Sequence, residues 1–346
     1  MTLREEILEQ PEALRRQLAD GREGPEALAR EIRDAGIESI VIAARGTSDH
    51  AAIYAQYVLG VRNRLTVALA APSITSLYGV APRFERALVV GISQSGASPD
   101  VVGVIAAARD QGAPTLAITN EPGSELAAAS GHVIELRAGP ERAVAATKTY
   151  TTSLLAVARL SAALDADPGR AWAELEALPD AVEQALAVES EVAAIARDLA
   201  AIDRCIVLGR GYEYATAREW ALKLKELARV FADPYSAADF RHGPFALAEP
   251  DVPILAVLPD GPAAPDLAAL LGDLRRDAGA EVVVLSDTAD RRAAGTRSVA
   301  LPAGIPEWLR PIASIVPAQL FAYHLTVAKG LDPEAPRNLR KVTRTR

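Results

Sequence analysis

The sequence predicts an α/β protein made of two tandem copies of one domain, each a mainly parallel sheet with helices on both faces. Three observations carry this. Apolar runs of strand length alternate with stretches of helical length, the pattern of a parallel sheet with crossover helices. The runs are continuous rather than alternating, as in Ala87-Leu88-Val89-Val90-Gly91-Ile92, which fits strands covered on both sides. Landmarks of the first half also return at a constant offset of 165 residues. Arg45-Gly46 reappears as Arg210-Gly211, Ser93-Gln94-Ser95-Gly96 aligns with Leu258-Pro259-Asp260-Gly261, and Ala138-Gly139 returns as Ala303-Gly304.

In chain order, residues 1–34 read as two N-terminal helices broken at Pro11 and at Gly24-Pro25, with Pro25 suited to a first helical turn. Residues 35–166 form the first domain, with strands at 39–43, 65–69, 87–92, 115–118 and 132–136. Helices at 48–59 and 99–111 lie between them, and a long helix at 148–163 closes the domain. Residues 167–200 hold connecting helices at 171–176 and 179–201. The second domain spans 201–335, and a basic tail, 336–346, ends the chain. On the helix after Gly209-Arg210-Gly211, the residues Trp220, Leu224, Leu227 and Phe231 share one face and read as core.

Composition excludes several classes. At 346 residues the chain is long enough for two ordinary domains. A net charge of −8 argues against a general nucleic-acid or membrane-surface partner. The single cysteine, Cys205, lies in the apolar run Cys205-Ile206-Val207-Leu208 and reads as a buried, inert thiol. The charged start, Met1-Thr2-Leu3-Arg4-Glu5-Glu6, has no apolar core of a signal peptide, and no stretch is expected to reach the length of a membrane span. A cytoplasmic protein is expected. No two histidines have zinc spacing, so no metal is expected.

Two sets of residues carry chemistry. Ser93-Gln94-Ser95-Gly96-Ala97-Ser98 joins a strand to a helix, so hydroxyls, an amide and backbone N–H groups meet the positive end of a helix dipole. Such a turn suits an anion; the plainer alternative is an ordinary Ser-rich loop. It has no lysine and does not match a Walker-type loop. The second copy replaces it with Leu258-Pro259-Asp260-Gly261, which points to one anion site rather than two.

Protons are the business of the second half. Lys223 and Glu226, three residues apart, are neighbours on a helix, either a solvated pair worth a few tenths of a kcal/mol or a carboxylate tuned by an ammonium. His242, followed by Gly243-Pro244, sits at a chain turn and is the best placed of four histidines to move protons near neutrality. His50, His132 and His324 lie on or at the start of regular elements. The basic tail from Pro336 is either a solvated end or a cationic strap over a phosphorylated ligand.

Together these motifs resemble the sugar-isomerase (SIS) domain family. The resemblance rests on Gly46-Thr47-Ser48-Asp49-His50, Ser93-Gln94-Ser95-Gly96, Thr119-Asn120-Glu121-Pro122-Gly123 and Ala138-Gly139-Pro140-Glu141. It rests equally on Ala145-Ala146-Thr147-Lys148, Lys223-Leu224-Lys225-Glu226, Arg241-His242-Gly243-Pro244 and Pro336-Arg337-Asn338-Leu339. It runs from about residue 35 to the end and is closest to the isomerase half of glucosamine-6-phosphate synthase and to two-SIS-domain glucosamine-6-phosphate deaminases. It implies two flavodoxin- or Rossmann-like SIS domains. By resemblance Thr47, Ser48, Ser93, Gln94, Ser95 and Ser98 hold the sugar phosphate, and Gly46, Val144 and Ala146 line the sugar. Glu226 shuttles a proton between C1 and C2, assisted by Lys223; His242, from a partner subunit, opens the ring; Lys341 reaches the substrate carbonyl. A homodimer with shared active sites and a phosphosugar substrate follow, with no metal and no cofactor.

The family's Ser-Gly-Glu-Thr is here Ser95-Gly96-Ala97-Ser98, and Val144-Ala145-Ala146-Thr147-Lys148 lacks one hydroxyl. With Ser48-Asp49-His50 and Ala71-Pro72-Ser73, these departures resemble the deaminase branch. The chain begins Met1-Thr2 with Cys205 its only cysteine, so release of ammonia from glutamine by an N-terminal cysteine is not expected. The expected activity is glucosamine-6-phosphate deaminase, giving fructose 6-phosphate and ammonia. The alternatives are an aldose–ketose isomerase or glutamine-independent aminotransferase-type enzyme on another amino-sugar phosphate, and a non-catalytic sensor of such a ligand.

Overall fold

The computed structural model describes residues 1–341. Among these, ten strands form two five-stranded sheets in which every pairing is parallel. The first comprises β1 (Ser39–Ala43), β2 (Thr66–Leu69), β3 (Ala87–Ile92), β4 (Thr115–Thr119) and β5 (His132–Glu135), in the order β2-β1-β3-β4-β5. The second comprises β6 (Arg204–Gly209), β7 (Phe231–Ser236), β8 (Ile254–Val257), β9 (Val282–Ser286) and β10 (Arg297–Ala300), ordered β7-β6-β8-β9-β10. The two orders are the same. Ser39 pairs with Thr66 as Arg204 pairs with Phe231, and those partners are again 165 residues apart. In such a sheet the strand order reverses beside the first strand, between β1 and β3 or between β6 and β8. Ligands of doubly wound folds bind at the carboxyl ends there.

Burial explains why the runs are continuous. β3, β4, β8 and β9 are buried along their whole length, whereas edge strand β2 alternates exposed and half-buried residues. The helices Pro99–Asp110 and Ala264–Asp277 cover equivalent strands, packing Val101, Val104 and Ile105 over Val89, and Leu267, Leu270 and Leu271 over Ile254.

The compact units do not follow chain order. The front unit holds Glu12–Glu141, Lys148–Ala177 and the start of the tail, Arg340 and Lys341; the rear unit holds Met1–Pro11, Arg142–Thr147 and Leu178–Leu339.

Four expectations about elements need correction. Pro11 is the second residue of the helix Gln10–Leu18, where a missing N–H costs nothing, so residues 1–34 hold three helices, the others being Leu3–Leu8 and Glu23–Asp34. The stretch 179–201 divides into Leu178–Leu186 and Glu189–Asp198. Phe231 is not core: it is 83% exposed. The helix Glu213–Lys223 passes into a π-turn, Leu224–Ala228, and ends at Arg229 with φ +56°, so Phe231 opens edge strand β7 instead. Finally, the segment Glu307–Ala328 is long and apolar enough to meet a membrane-span criterion by length and composition. Its helix, Arg310–Ala328, is mostly buried within the rear unit against Glu213–Lys223 and Glu189–Asp198, as a core helix is. Cys205 is buried, and that burial pushes its thiol up to about 12.

Candidate active site

In the front unit, the carboxyl ends of β1 and β3 build a polar cradle. β3 runs into the turn Ser93–Ser98, and Pro99 at the first helical position pre-sets the helix that follows. The turn is held by its neighbours. Ser93 N–H donates to the Ile118 carbonyl at 3.1 Å, Asn120 N–H to that of Gln94 at 3.1 Å, and Leu126 N–H to that of Gly96 at 3.0 Å. Thr119 Oγ1 donates to the Gln94 carbonyl at 3.2 Å. Gly96 has φ +58°, and a Cβ there would lie 2.0 Å from Ser124 Oγ, so no side chain fits. Ser98 occupies the N-cap without capping its helix. Among the described residues, the Ser93 hydroxyl, the Gln94 amide and the Ser98 hydroxyl have no hydrogen-bond partner; Ser95 Oγ accepts only a long bond from Ala97 N–H, 3.4 Å. The backbone is committed and the side chains are not. Such a turn leaves hydroxyl and amide donors available to an anion.

The β1 side completes it. Gly46, with φ 55° and ψ −128°, turns the chain into the helix Thr47–Asn63, whose first residues are Thr47 and Ser48. Arg45 Nε donates to the fully buried Asp100 carboxylate at 2.8 Å, tying the two arms together. Also in the front unit, Lys341 Nζ donates to Glu141 Oε2 at 2.7 Å, and the same buried carboxylate accepts Thr149 N–H at 3.1 Å and Thr149 Oγ1 at 2.7 Å. The tail lysine is therefore anchored. The motif Ala138-Gly139-Pro140-Glu141 alone does not reveal this contact of Glu141, whose partner is 200 positions away.

In the rear unit, Lys223 stands between two carboxylates, 3.3 Å from Glu219 and 2.5 Å from Glu226. The side chains of Glu219, Lys223 and Glu226 are 0%, 1% and 23% exposed, so the surface-pair reading is overturned. Burial opposes the charge on Lys223, but the two carboxylates outweigh it and raise its pKa above the ordinary lysine value. Glu226 is the accessible member and sits on the π-turn, a distortion frequent at functional sites. Glu219 was missed, although it lies four residues before Lys223 on the same face.

His242 follows the short helix Ala237–Arg241 and is exposed; its N–H donates to the Asp239 carbonyl at 3.0 Å. Val144 and Ala146 are half-buried in the segment Arg142–Thr147 of the rear unit. The other histidines have structural settings: His132 lies 2.6 Å from Glu31, His324 lies 2.9 Å from Glu189, and His50 is buried in its helix. Thus Gly46, Thr47, Ser48, Ser93, Gln94, Ser95, Ser98 and Lys341 belong to the front unit, and Lys223, Glu226, His242, Val144 and Ala146 to the rear. No group of side chains suited to a metal ion occurs among the described residues.

The profile of the SIS domain matches residues 31–163 and again 198–329. The chain belongs to the SIS domain family. It is 34% identical over 342 residues to the glutamine–fructose-6-phosphate aminotransferase (isomerizing) of Methanothermobacter thermautotrophicus, covering 97% of this chain and 56% of that protein. The chain therefore spans about half the length of the curated relatives it matches. Among solved structures, the C-terminal domain of glucosamine-fructose-6-phosphate aminotransferase from Francisella tularensis superposes with a TM-score of 0.87 at 28% identity, covering 95% of this chain and 96% of that one. The glucosamine-6-phosphate deaminase of Thermotoga maritima shares the fold, with a TM-score of 0.77 at 21% identity over the whole of both chains.

The two SIS domains differ at their switch points. In the second, Arg210 pairs with Asp266 at 3.0 Å, as Arg45 pairs with Asp100 in the first. Where the first presents hydroxyls, the second presents Asp260 and Glu307 beside Arg210 and Arg310. The second switch point therefore differs from the first in carrying charged side chains in place of hydroxyls.

Proposed function

We propose that this SIS protein is a cytoplasmic phosphosugar isomerase that acts as a glucosamine-6-phosphate deaminase. The observation that carries this reading is the buried Glu219–Lys223–Glu226 array. Binding alone has no need of a lysine held charged between two carboxylates, one of them accessible; proton transfer at carbon does. The uncommitted hydroxyls of Ser93 and Ser98, with Ser48, Thr47, Gln94 and Ser95, would hold the phosphate. Gly46, Val144 and Ala146 would line the sugar.

His242, contributed by the partner in a homodimer, would open the ring. Glu226 would take the proton from C2 of the open-chain aldehyde while Lys223 and Lys341 stabilise charge developing on the carbonyl oxygen. Return of a proton to C1 leaves an imine at C2. Water adds there, the C–N bond breaks, and fructose 6-phosphate and ammonia are released. The residues supply this acid–base chemistry themselves, with neither metal nor cofactor assigned a step.

The relatives named as aminotransferases favour a second reading, in which the same proton transfer serves isomerisation or amination of another amino-sugar phosphate. Ammonia and ketose phosphate production from glucosamine 6-phosphate, measured for the wild type and Glu226→Gln, separates the readings. The substitution should lower turnover roughly 10²–10⁴-fold. Isomerisation without ammonia supports the second reading; binding without any turnover in the wild type leaves a sensor and ends the proposal.

A further inference from the structure

The rear unit takes in two pieces from far up the chain, Met1–Pro11 and Arg142–Thr147, and hydrogen bonds join them. Glu6 is fully buried. One of its carboxylate oxygens accepts Arg142 N–H at 2.5 Å, and Ala143 N–H reaches both oxygens, at 3.4 and 3.3 Å. The far end of the segment is held as well. Gln319 Nε2 donates to the Thr147 carbonyl at 3.4 Å, while Gln319 Oε1 accepts Gln10 Nε2 at 2.9 Å. Gln10 Nε2 also donates to the Ile7 carbonyl at 2.9 Å, which returns the network to the helix that carries Glu6. That helix is itself pinned. Leu3 N–H donates to both carboxylate oxygens of Glu334 at 3.0 Å, and Arg4 makes a two-pronged pair with Glu189 at 2.7 Å.

Between these anchors burial alternates: Ala143, Ala145 and Thr147 are buried, Val144 and Ala146 half-buried. Val144, Ala145 and Ala146 carry no polar side-chain atom, so this stretch can meet a sugar hydroxyl only through its backbone. Among the described residues, the backbone N–H and C=O groups of these three have no hydrogen-bond partner. Backbone groups so little exposed are ordinarily paired, and here they lie in a segment fixed at both ends. Hydrogen bonds from a backbone are directional, so whatever sets the place of this segment sets its fit to a sugar.

We infer that Glu6 is a positioning residue: its carboxylate fixes the sugar-lining backbone at 144–146, so that selection of the sugar, as distinct from its phosphate, is set from the N-terminal helix. The inference rests on the proposed function in one respect, that Val144 and Ala146 line the sugar. An ionised carboxylate holds two backbone N–H groups more firmly than a neutral acceptor, and a short side chain in its place leaves both unheld.

The test weighs two ligands by calorimetry on the full chain. One is 2-amino-2-deoxyglucitol 6-phosphate, an open-chain compound with no carbonyl to turn over; the other is inorganic phosphate, which asks only for the hydroxyl-rich turn after β3. The wild type should prefer the sugar phosphate by about tenfold or more. Glu6→Ala should lower affinity for the sugar phosphate by about tenfold and leave that for inorganic phosphate unchanged. Glu6→Gln keeps one acceptor oxygen and should recover part of the loss. The kcat/KM for glucosamine 6-phosphate should fall in the same order, about 10–100-fold for alanine. Where near-ultraviolet circular dichroism shows that Glu6→Ala has not folded, Glu6→Gln and Gln319→Met probe the two ends of the segment, each with a smaller drop expected for the sugar phosphate alone. A folded Glu6 variant that keeps the wild-type ratio of the two affinities, or loses both ligands equally, would overturn the positioning role. Equal affinities in the wild type would remove the sugar-lining segment from the proposed function, and this inference with it. A variant-sensitive ratio in a wild type that releases no ammonia keeps the positioning role and removes the deaminase.

Discussion

Glu213 offers a sharp test of how this fold treats charge. It opens the helix after β6 at the second switch point and is 4% exposed. One carboxylate oxygen accepts Thr216 Oγ1 at 2.5 Å and the other accepts Ser314 Oγ at 2.9 Å. Burial pushes its pKa from 4.5 to about 7; both hydroxyl bonds and Arg310 oppose the rise, and Asp287 adds to it. Between those values the native state holds a proton that the unfolded chain has lost. The stabilisation is complete below the unfolded value and fades as pH climbs through the folded one. The rise from 4.5 to about 7, at about 1.4 kcal/mol for each pH unit, amounts to about 3.5 kcal/mol. Glu213→Gln keeps the shape and removes the titration. Urea unfolding at a series of pH values should show the variant gaining about 3.5 kcal/mol relative to wild type between pH 4.5 and pH 8. Parallel stability curves for the two proteins would refute this account of the buried carboxyl.

Other substitutions probe the remaining features. Gly96→Ala, which meets Ser124 Oγ at 2.0 Å in left-handed backbone, should cost about 2–4 kcal/mol in thermal or urea unfolding. Lys223→Met strands the fully buried Glu219 carboxylate and should destabilise by about 3–5 kcal/mol, with part recovered in a Glu219→Gln double variant. Phe231→Lys, at an 83% exposed position, should change stability by no more than about 0.5 kcal/mol, whereas a core phenylalanine would not tolerate it. Ser95→Ala should weaken binding of phosphorylated sugar by about 1–3 kcal/mol while leaving the unphosphorylated sugar unaffected; equal losses for both would remove the hydroxyl from the phosphate site.

The sheets were legible because a doubly covered strand must be apolar throughout, and the constant offset exposed the duplication before any coordinate was known. β1 and β3 fall where the apolar runs place them. The position of the turn Ser93–Ser98 was legible too, between the buried strand β3 and the helix Pro99–Asp110. What stayed hidden depends on distant partners. Glu141 matters because the chain returns two hundred residues later to set Lys341 against it. Lys223 could not be recognised as buried from i,i+3 spacing, which is the same for surface and interior pairs. Phe231 was misassigned because helical periodicity cannot register a five-residue π-turn that shifts the phase and stops the helix. The helix Arg310–Ala328 reached span length because a helix enclosed on every side by protein has the composition of one enclosed by lipid.

The interleaving of the two units bears on how such a molecule can come into being. Met1–Pro11, which precedes the first repeat, and Arg142–Thr147, which lies within it, both fold into the rear unit, and Arg340 and Lys341 return to the front one. Severing the gene near codon 177 would yield one fragment carrying strands of sequence with no native place and another missing parts of its own body. Neither half of the chain, cut there, holds a whole unit.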